Sequence, residues 1–306
     1  MNFNKYMFNT KLLAVCLASM VIAASCNGDK PKDDENNNND QVVDTDTAKT
    51  AVLNVGGELF SVPSPIQTAM LIQKSGVAYD KAILNVSNKA NTYTSDFARA
   101  LNLGIYGADL GYVSMYNQTQ DAIGYLAAVK QLADKLGVSA AFDQQTMKRI
   151  ETNIANKDSM LVLVGIAYRA SDAYLKTNKR TEVSSLILAG GWIESMHFSA
   201  MAYKKKATDD VKFRIAEQKQ ALSSIIKLLA SNSAPEATEL GKQLSDLAKV
   251  YEGIQFKYTF VEPTTDSIKK MTMINSTNEV IVSKEQIDQI SAKIAEIRTK
   301  ITNVQS

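Results

Sequence analysis

Apolar residues recur along this chain at steps of three and four, so long stretches of it read as helix. Two segments carry the narrowest stripes. Ala237, Leu240, Leu244, Leu247, Tyr251 and Ile254 form one; Ile287, Ile290, Ile294, Ile297, Ile301 and Val304 form the other. Such seams suit helices packed at shallow angles. They fit two helices closing the end of one bundle, and the C-terminal helix also offers an oligomeric coiled coil. The same spacing predicts helices near 65–75, 95–115, 117–136, 143–156, 159–177, 182–204, 209–231, 234–254 and 284–304.

Helix-start signals agree with these spans. Ser64-Pro65-Ile66-Gln67 has a serine cap, proline at the first helical position and glutamine at the third, the pattern of a capping box. Ser233 with Glu236 and Ser283 with Gln286 repeat it, and Thr181, Thr208 and Asp143 suit caps elsewhere. Short loops favour antiparallel neighbours. Between the two seams the period changes to two: Phe256, Tyr258, Phe260, then Met271, Met273, then Val280, Val282. That alternation predicts a hairpin or small sheet near 256–282. The expected fold is therefore mostly all-α, an antiparallel multi-helix bundle or array with a small β element.

Three predicted helices are apolar on every side and so belong at the centre. One of them, LNLGIYGADLGYVSMY, carries Gly104, Gly107 and Gly111. An interior helical glycine costs roughly 1 kcal/mol relative to alanine, so three together need a reason. With Ala100 and Ser114 they step by four and three down one face. That stripe is either a groove for a second backbone, with Gly190-Gly191 on helix 182–204 as a natural partner, or a groove for a ligand. If a backbone fills it, the central Gly107 marks the expected closest approach.

The N-terminus adds an address. Lys5 and Lys11 precede the apolar run Leu12–Ala24, too short for a comfortable membrane span. It ends in IAASC, Ile22 to Cys26, which resembles a bacterial lipoprotein signal. The resemblance implies cleavage before Cys26 and acylation of that cysteine. Residues 26–52 are rich in Asn and Asp and lack aromatic residues, so they read as a tether. The acidic run Asp33-Asp34-Glu35 resembles the export tracts of Bacteroidota-type surface lipoproteins. The expected organisation is a signal over 1–25, a tether over 26–52 and a helical domain over 53–306. The expected location is the outer membrane, lipid-anchored, at the cell surface or the periplasmic face.

Charge and chemistry then narrow the function. Removing residues 1–25 takes two lysines and no acid from the 34 basic and 32 acidic residues, leaving the two signs balanced. No basic block with interleaved aromatics is present, which argues against nucleic acid as partner. His197 is the sole histidine, and the two cysteines are Cys16, inside the signal, and Cys26. No metal site and no cofactor is therefore expected. Glu194-x-x-His197 has the spacing of one half of a di-iron site, which needs two such pairs and two further glutamates. Haem ligation by His197 with Met196 or Met201 is a further alternative, though methionine at helical spacing is more often core filler.

What survives is carboxylate chemistry. Asp109, Asp172 and Glu194 lie in the most apolar helices, where burial raises carboxyl pKa values. Two acids facing a cleft suffice for glycoside hydrolysis. The competing reading pairs each acid: Arg169 lies one turn before Asp172, and Glu194 shares a face with His197. Tyrosines 106, 112, 116, 125, 168, 174 and 203 either line a polar cavity or sit with rings in and hydroxyls out. The Asp-Ser/Thr-apolar triplets at Thr47 and Ser267 resemble the O-glycosylation motif of Bacteroidota-type envelope proteins.

FSVPSPIQTAMLIQKSGVAYDKAILN followed by ALNLGIYGADLGYVSMYNQTQDAIGYLAAVKQLADKLGV resembles a widespread group of uncharacterised Bacteroidota-type envelope lipoproteins. The resemblance implies an anchored helical design and assigns no reaction and no functional residues. The expected role is thus binding or scaffolding of a protein or glycan without catalysis, with a glycan-directed carboxylate hydrolase as the alternative.

Overall fold

The computed structural model describes residues 50–55, 58–141 and 144–303, with side chains from residue 63 onward. Most of these residues are helical. A hairpin, β1 (Thr50–Val55) and β2 (Glu58–Pro63), precedes α1 (Pro65–Lys74), α2 (Asp96–Met115), α3 (Thr119–Lys135), α4 (Gln144–Thr152) and α5 (Lys157–Thr177). Then come α6 (Thr181–Lys205), α7 (Asp209–Ala216), α8 (Lys219–Ala230) and α9 (Pro235–Tyr251). Four short strands follow, β3 (Gln255–Thr259), β4 (Thr264–Asp266), β5 (Met271–Met273) and β6 (Thr277–Ile281), before α10 (Lys284–Thr302).

The two helices at the centre are α2 and α6, whose residues are buried along nearly their whole length. They pack on each other; α1, α3, α5 and α10 surround α2, while α1, α5, α7, α8 and α10 surround α6. Trp192, Phe198, Tyr106 and Tyr112 from these two helices are among the largest fully buried side chains. The isoleucine seam of α10 is spent inside the chain: Ile287, Ile290 and Ile294 have no exposure, and the helix packs on α6 and α9. That leaves no free seam for a coiled coil among the described residues.

The β element is one long arm. β3 pairs antiparallel with β6, and farther out β4 pairs with β5, joined by a turn at 267–270. The hairpin β1–β2 is an addition to the sequence reading, with Thr50 opposite Pro63. It begins three residues inside the segment read as tether.

Capping follows the expected signals in part. Ser283 and Gln286 form a complete capping box, and Thr208 accepts from Val211 N. Ser64 makes no side-chain cap bond, and at the third site Ala234, not Ser233, is the cap. In both cases proline occupies the first helical position, and at α1 the Gln67 N–H that a serine cap would serve goes to the Ser64 main-chain oxygen at 3.0 Å. Arg180 caps α6 in place of Thr181, which is already helical. Asp143 lies outside the described residues. The segment read as one helix over 209–231 is two, broken at Glu217–Gln218. The break carries Gln218 inward, where its Oε1 accepts from the Trp192 indole N–H at 3.0 Å.

Candidate functional site

The glycine stripe of α2 meets three different neighbours. At Gly104 the backbone of α6 is in contact: a Cβ there would lie 2.0 Å from the Ile187 carbonyl oxygen and 2.7 Å from Gly191 N. The contact is reciprocal, since a Cβ on Gly190 would lie 2.0 Å from the Leu101 carbonyl oxygen. Side chains at either position are incompatible with this crossing. The closest approach is therefore at Gly104, one turn before the expected Gly107, because α2 and α6 cross there. Gly107 faces α5 instead, where a Cβ would lie 2.6 Å from the Tyr168 hydroxyl. At Gly111 the neighbour is Ile66 of α1, at an ordinary 3.4 Å.

Beside Gly107 lies a cavity of about 270 Å³. Leu103, Gly107 and Leu110 of α2 form its floor, Leu126, Val129 and Ala133 of α3 one wall, and Val164 and Tyr168 of α5 the other. Met147 and Ile150 of α4 cover it. The cover is thin, because Ile150 is the one fully buried residue of α4. Lys130, Asp134 and Ser139 stand at the rim. Lys130 pairs with Glu151 of α4 at 2.7 Å, and Ser139 donates to Asp134. The Tyr168 hydroxyl turns away from the space and donates to Gly104 O at 3.1 Å. Burial raises its pKa above the usual tyrosine range. What remains facing the cavity is mostly hydrocarbon, a lining that suits an apolar ligand.

The acids form a second locus on the opposite side of α2. Asp109 and Glu194 are both fully buried and adjacent. Arg298 of α10 grips Glu194 with two bonds, Nε to Oε2 at 2.5 Å and Nη2 to Oε1 at 2.7 Å, and also donates to Ile83 O at 3.0 Å. Neither Asp109 oxygen has a hydrogen-bond partner. Burial first, and the neighbouring Glu194 charge second, push the Asp109 carboxyl well above the usual range. His197 does not bond Glu194 as the sequence suggests. Its Nε2 lies 3.1 Å from Ile83 O, because Arg298 already occupies the carboxylate. Burial lowers the His197 pKa.

Asp172 belongs to neither locus. It accepts from Lys176 at 2.6 Å and from Ser184 at 2.5 Å. Arg298 escaped the sequence reading, although it stands four residues after Ile294 and three before Ile301, at the edge of the buried seam. A charge at that spacing signals an inward partner. The cavity had no such signal, since its walls come from four helices that the sequence does not place side by side. Among the described residues no cluster of three or more His, Cys, Asp or Glu is arranged to hold a metal.

The tyrosines resolve as staples. Tyr116 donates to Val77 O at 2.7 Å, Tyr106 to Val86 O at 2.8 Å and Tyr125 to Asn85 O at 2.8 Å. Asp80 N donates to the Tyr112 hydroxyl at 3.2 Å. All four bind down the 76–94 segment between α1 and α2. Ser267 is exposed in the turn of the arm. Cys26 and Thr47 lie outside the described residues.

No family model, no curated protein and no solved structure matches this chain. Among the described residues no helix is long and apolar enough to cross a membrane.

Proposed function

We propose that this is a lipid-anchored envelope protein whose helical domain binds a small apolar ligand in the cavity between α2, α3, α4 and α5. The anchor is read from IAASC and Cys26. The binding role rests on one observation, a hydrocarbon-lined space of about 270 Å³ under the short helix α4. A cavity of about 150 Å³ already accepts benzene in a well-known engineered case. This space suits a fused bicycle or the end of an acyl chain. Gly107 and Ala133 are the smallest residues that border it, together with Ala167.

Glycan hydrolysis finds less support. It requires two acids that a sugar and a water can reach. Asp109 and Glu194 have zero exposure, and Arg298 holds Glu194.

The test is Val164→Phe, which puts an aromatic ring into the space. Titration with the apolar dye N-phenylnaphthylamine should give saturable, one-site fluorescence with the chain from residue 26 onward. The variant should lose that signal while melting at or above the parent temperature, because filling a void removes a cost of roughly 24 cal/mol per Å³. Equal dye binding by the variant, or no saturable binding by the parent, sinks the ligand reading.

A further inference from the structure

The 255–281 arm holds large apolar side chains in solvent. Phe260, Ile268, Met271, Met273 and Ile274 are between 57% and 95% exposed. Scattered exposed apolar residues need no explanation; a run of them along the outer half of one projection marks a contact surface. The question is what covers it.

The position of the arm answers. Its root sits at the α7–α8 end of the body: Phe256 meets Phe213 of α7 edge-on at 6.1 Å, and Lys219 of α8 reaches Glu252 O, just before the arm, at 3.4 Å. The N-terminal segment joins the body at that same end. Thr50 is the cross-strand partner of Pro63, and Pro63 shares a groove with Asp210 and Arg214 of α7 and Gln220 of α8. The chain arriving from Cys26 and the apolar arm thus meet the body side by side. About two dozen residues separate Cys26 from Thr50, so this end stays within roughly 80 Å of whatever holds Cys26.

We propose that the tip of the arm inserts into the surface of a phospholipid bilayer, giving the anchored domain a second membrane contact. The proposal rests on the acyl-anchor reading for the choice of lipid as occupant. The tip is built for the polar–apolar boundary. Asp266 Oδ1 accepts from both Ile268 N and Lys269 N at 3.0 Å, so the turn satisfies these backbone donors internally, as entry into lipid requires. Ile268, the most exposed of the apolar residues, is followed by Lys269, whose ammonium lies 3.7 Å from Asp266 Oδ2, and by Lys270, and their long stems let these charges stay among the head groups. Insertion stops at the interface, because β4 and β5 form a two-stranded ladder with unpaired outer edges that hydrocarbon would not tolerate.

Ile268→Trp in the full chain reports directly, since Trp192, the natural tryptophan, is buried and supplies a constant background. The purified protein is added to vesicles of equimolar phosphatidylethanolamine and phosphatidylglycerol, with and without bromine on the acyl chains. The added tryptophan should shift to the blue and lose most of its emission on the brominated vesicles. Adding Met271→Asp and Met273→Asp, next to the turn, should abolish both effects while leaving the melting temperature unchanged, because both residues are exposed. Emission typical of water, unquenched by bromine, overturns the proposal. So does an unquenched tryptophan in a protein that sediments as a dimer, which assigns the arm to a second copy. An intact mass from the same sample reads the anchor separately. A mass without acyl groups at Cys26 refutes the anchor whatever the arm does, and quenching then still supports insertion. A glycan on Ser267 would hold the turn out of lipid and overturn insertion alone.

Discussion

Helix α2 has two sides that look alike in sequence and behave differently in the fold. Toward α6 and α10 it is closed. The backbones touch at Gly104 and Gly190, and Asp109 sits against Glu194 and Arg298 with no exposure. Toward α3, α4 and α5 it is open, and Leu103, Gly107 and Leu110 border a cavity. Each side carries one glycine of the stripe, Gly104 or Gly107. The difference comes from the neighbour. Helix α6 answers Gly104 with a glycine of its own and is held by packing on every side. Tyr168 of α5 takes the place of a side chain at Gly107, and helix α4, which commits one buried residue, Ile150, leaves the space beside them unfilled. A glycine creates room; the element opposite decides whether the room is used.

The closed side should break first. Gly104→Ala puts a methyl 2.0 Å from a main-chain oxygen, and a carbonyl in a buried helix cannot swing away as a side chain can. Overpacking relieved by side-chain shifts costs roughly 1–3 kcal/mol, so this change should cost at least ~3 kcal/mol and depress soluble yield. Urea unfolding measures it, and stability within ~1 kcal/mol of the parent would show that the two sides do not differ as described.

Asp109 tests the buried acid on the same closed side. Below about pH 3.9 both folded and unfolded chains hold its proton. As the pH rises the unfolded chain releases it while the folded chain, whose carboxyl is raised by burial and by Glu194, keeps it. Stability therefore falls with rising pH from that point until the folded carboxyl itself ionises. Asp109→Asn removes this slope and gives Glu194 a neutral amide donor. It should stabilise the protein at neutral pH, by an amount on the order of 1–2 kcal/mol as for a buried polar group that regains a partner. Melting temperatures from pH 4 to 8 should converge toward the acid end; a variant less stable than the parent at neutral pH would contradict the assignment.

The open side should give least. In Gly107→Ala the obstacle is the tip of Tyr168, which can move toward the cavity at the loss of its bond to Gly104 O. A helix-propensity gain of up to ~1 kcal/mol opposes that loss, leaving a net cost of about 1 kcal/mol. Dye affinity should fall with it, since the new methyl and the displaced ring both enter the cavity. A loss as large as that of Gly104→Ala would erase the distinction between the two sides.

Helix positions were legible because burial imposes a period. The spans of α1, α2, α3, α6, α9 and α10 follow from apolar spacing to within a residue or a few. The alternation at Phe256, Tyr258 and Phe260 likewise marked the arm. The break between α7 and α8 was not legible, since Gln218 sits inward for the sake of Trp192, a residue on another helix. Asp109, Glu194 and His197 stand out in the sequence because ionisable groups in apolar helices are costly. Their partner Arg298 lies 104 residues from Glu194 in the chain, and its seam spacing marks it as inward-facing without saying which acid it meets.

By itself the sequence determined the helical class, the central place of α2 and α6 and the small-residue face of α2. Each is a local property, set by spacing or propensity. The tertiary structure alone decided that Gly104 rather than Gly107 touches a backbone, that Arg298 claims Glu194, and that a cavity lies beneath α4. These depend on where helices distant in sequence cross and how fully each neighbour fills the space offered. Packing settles such questions collectively, and no single segment carries the answer.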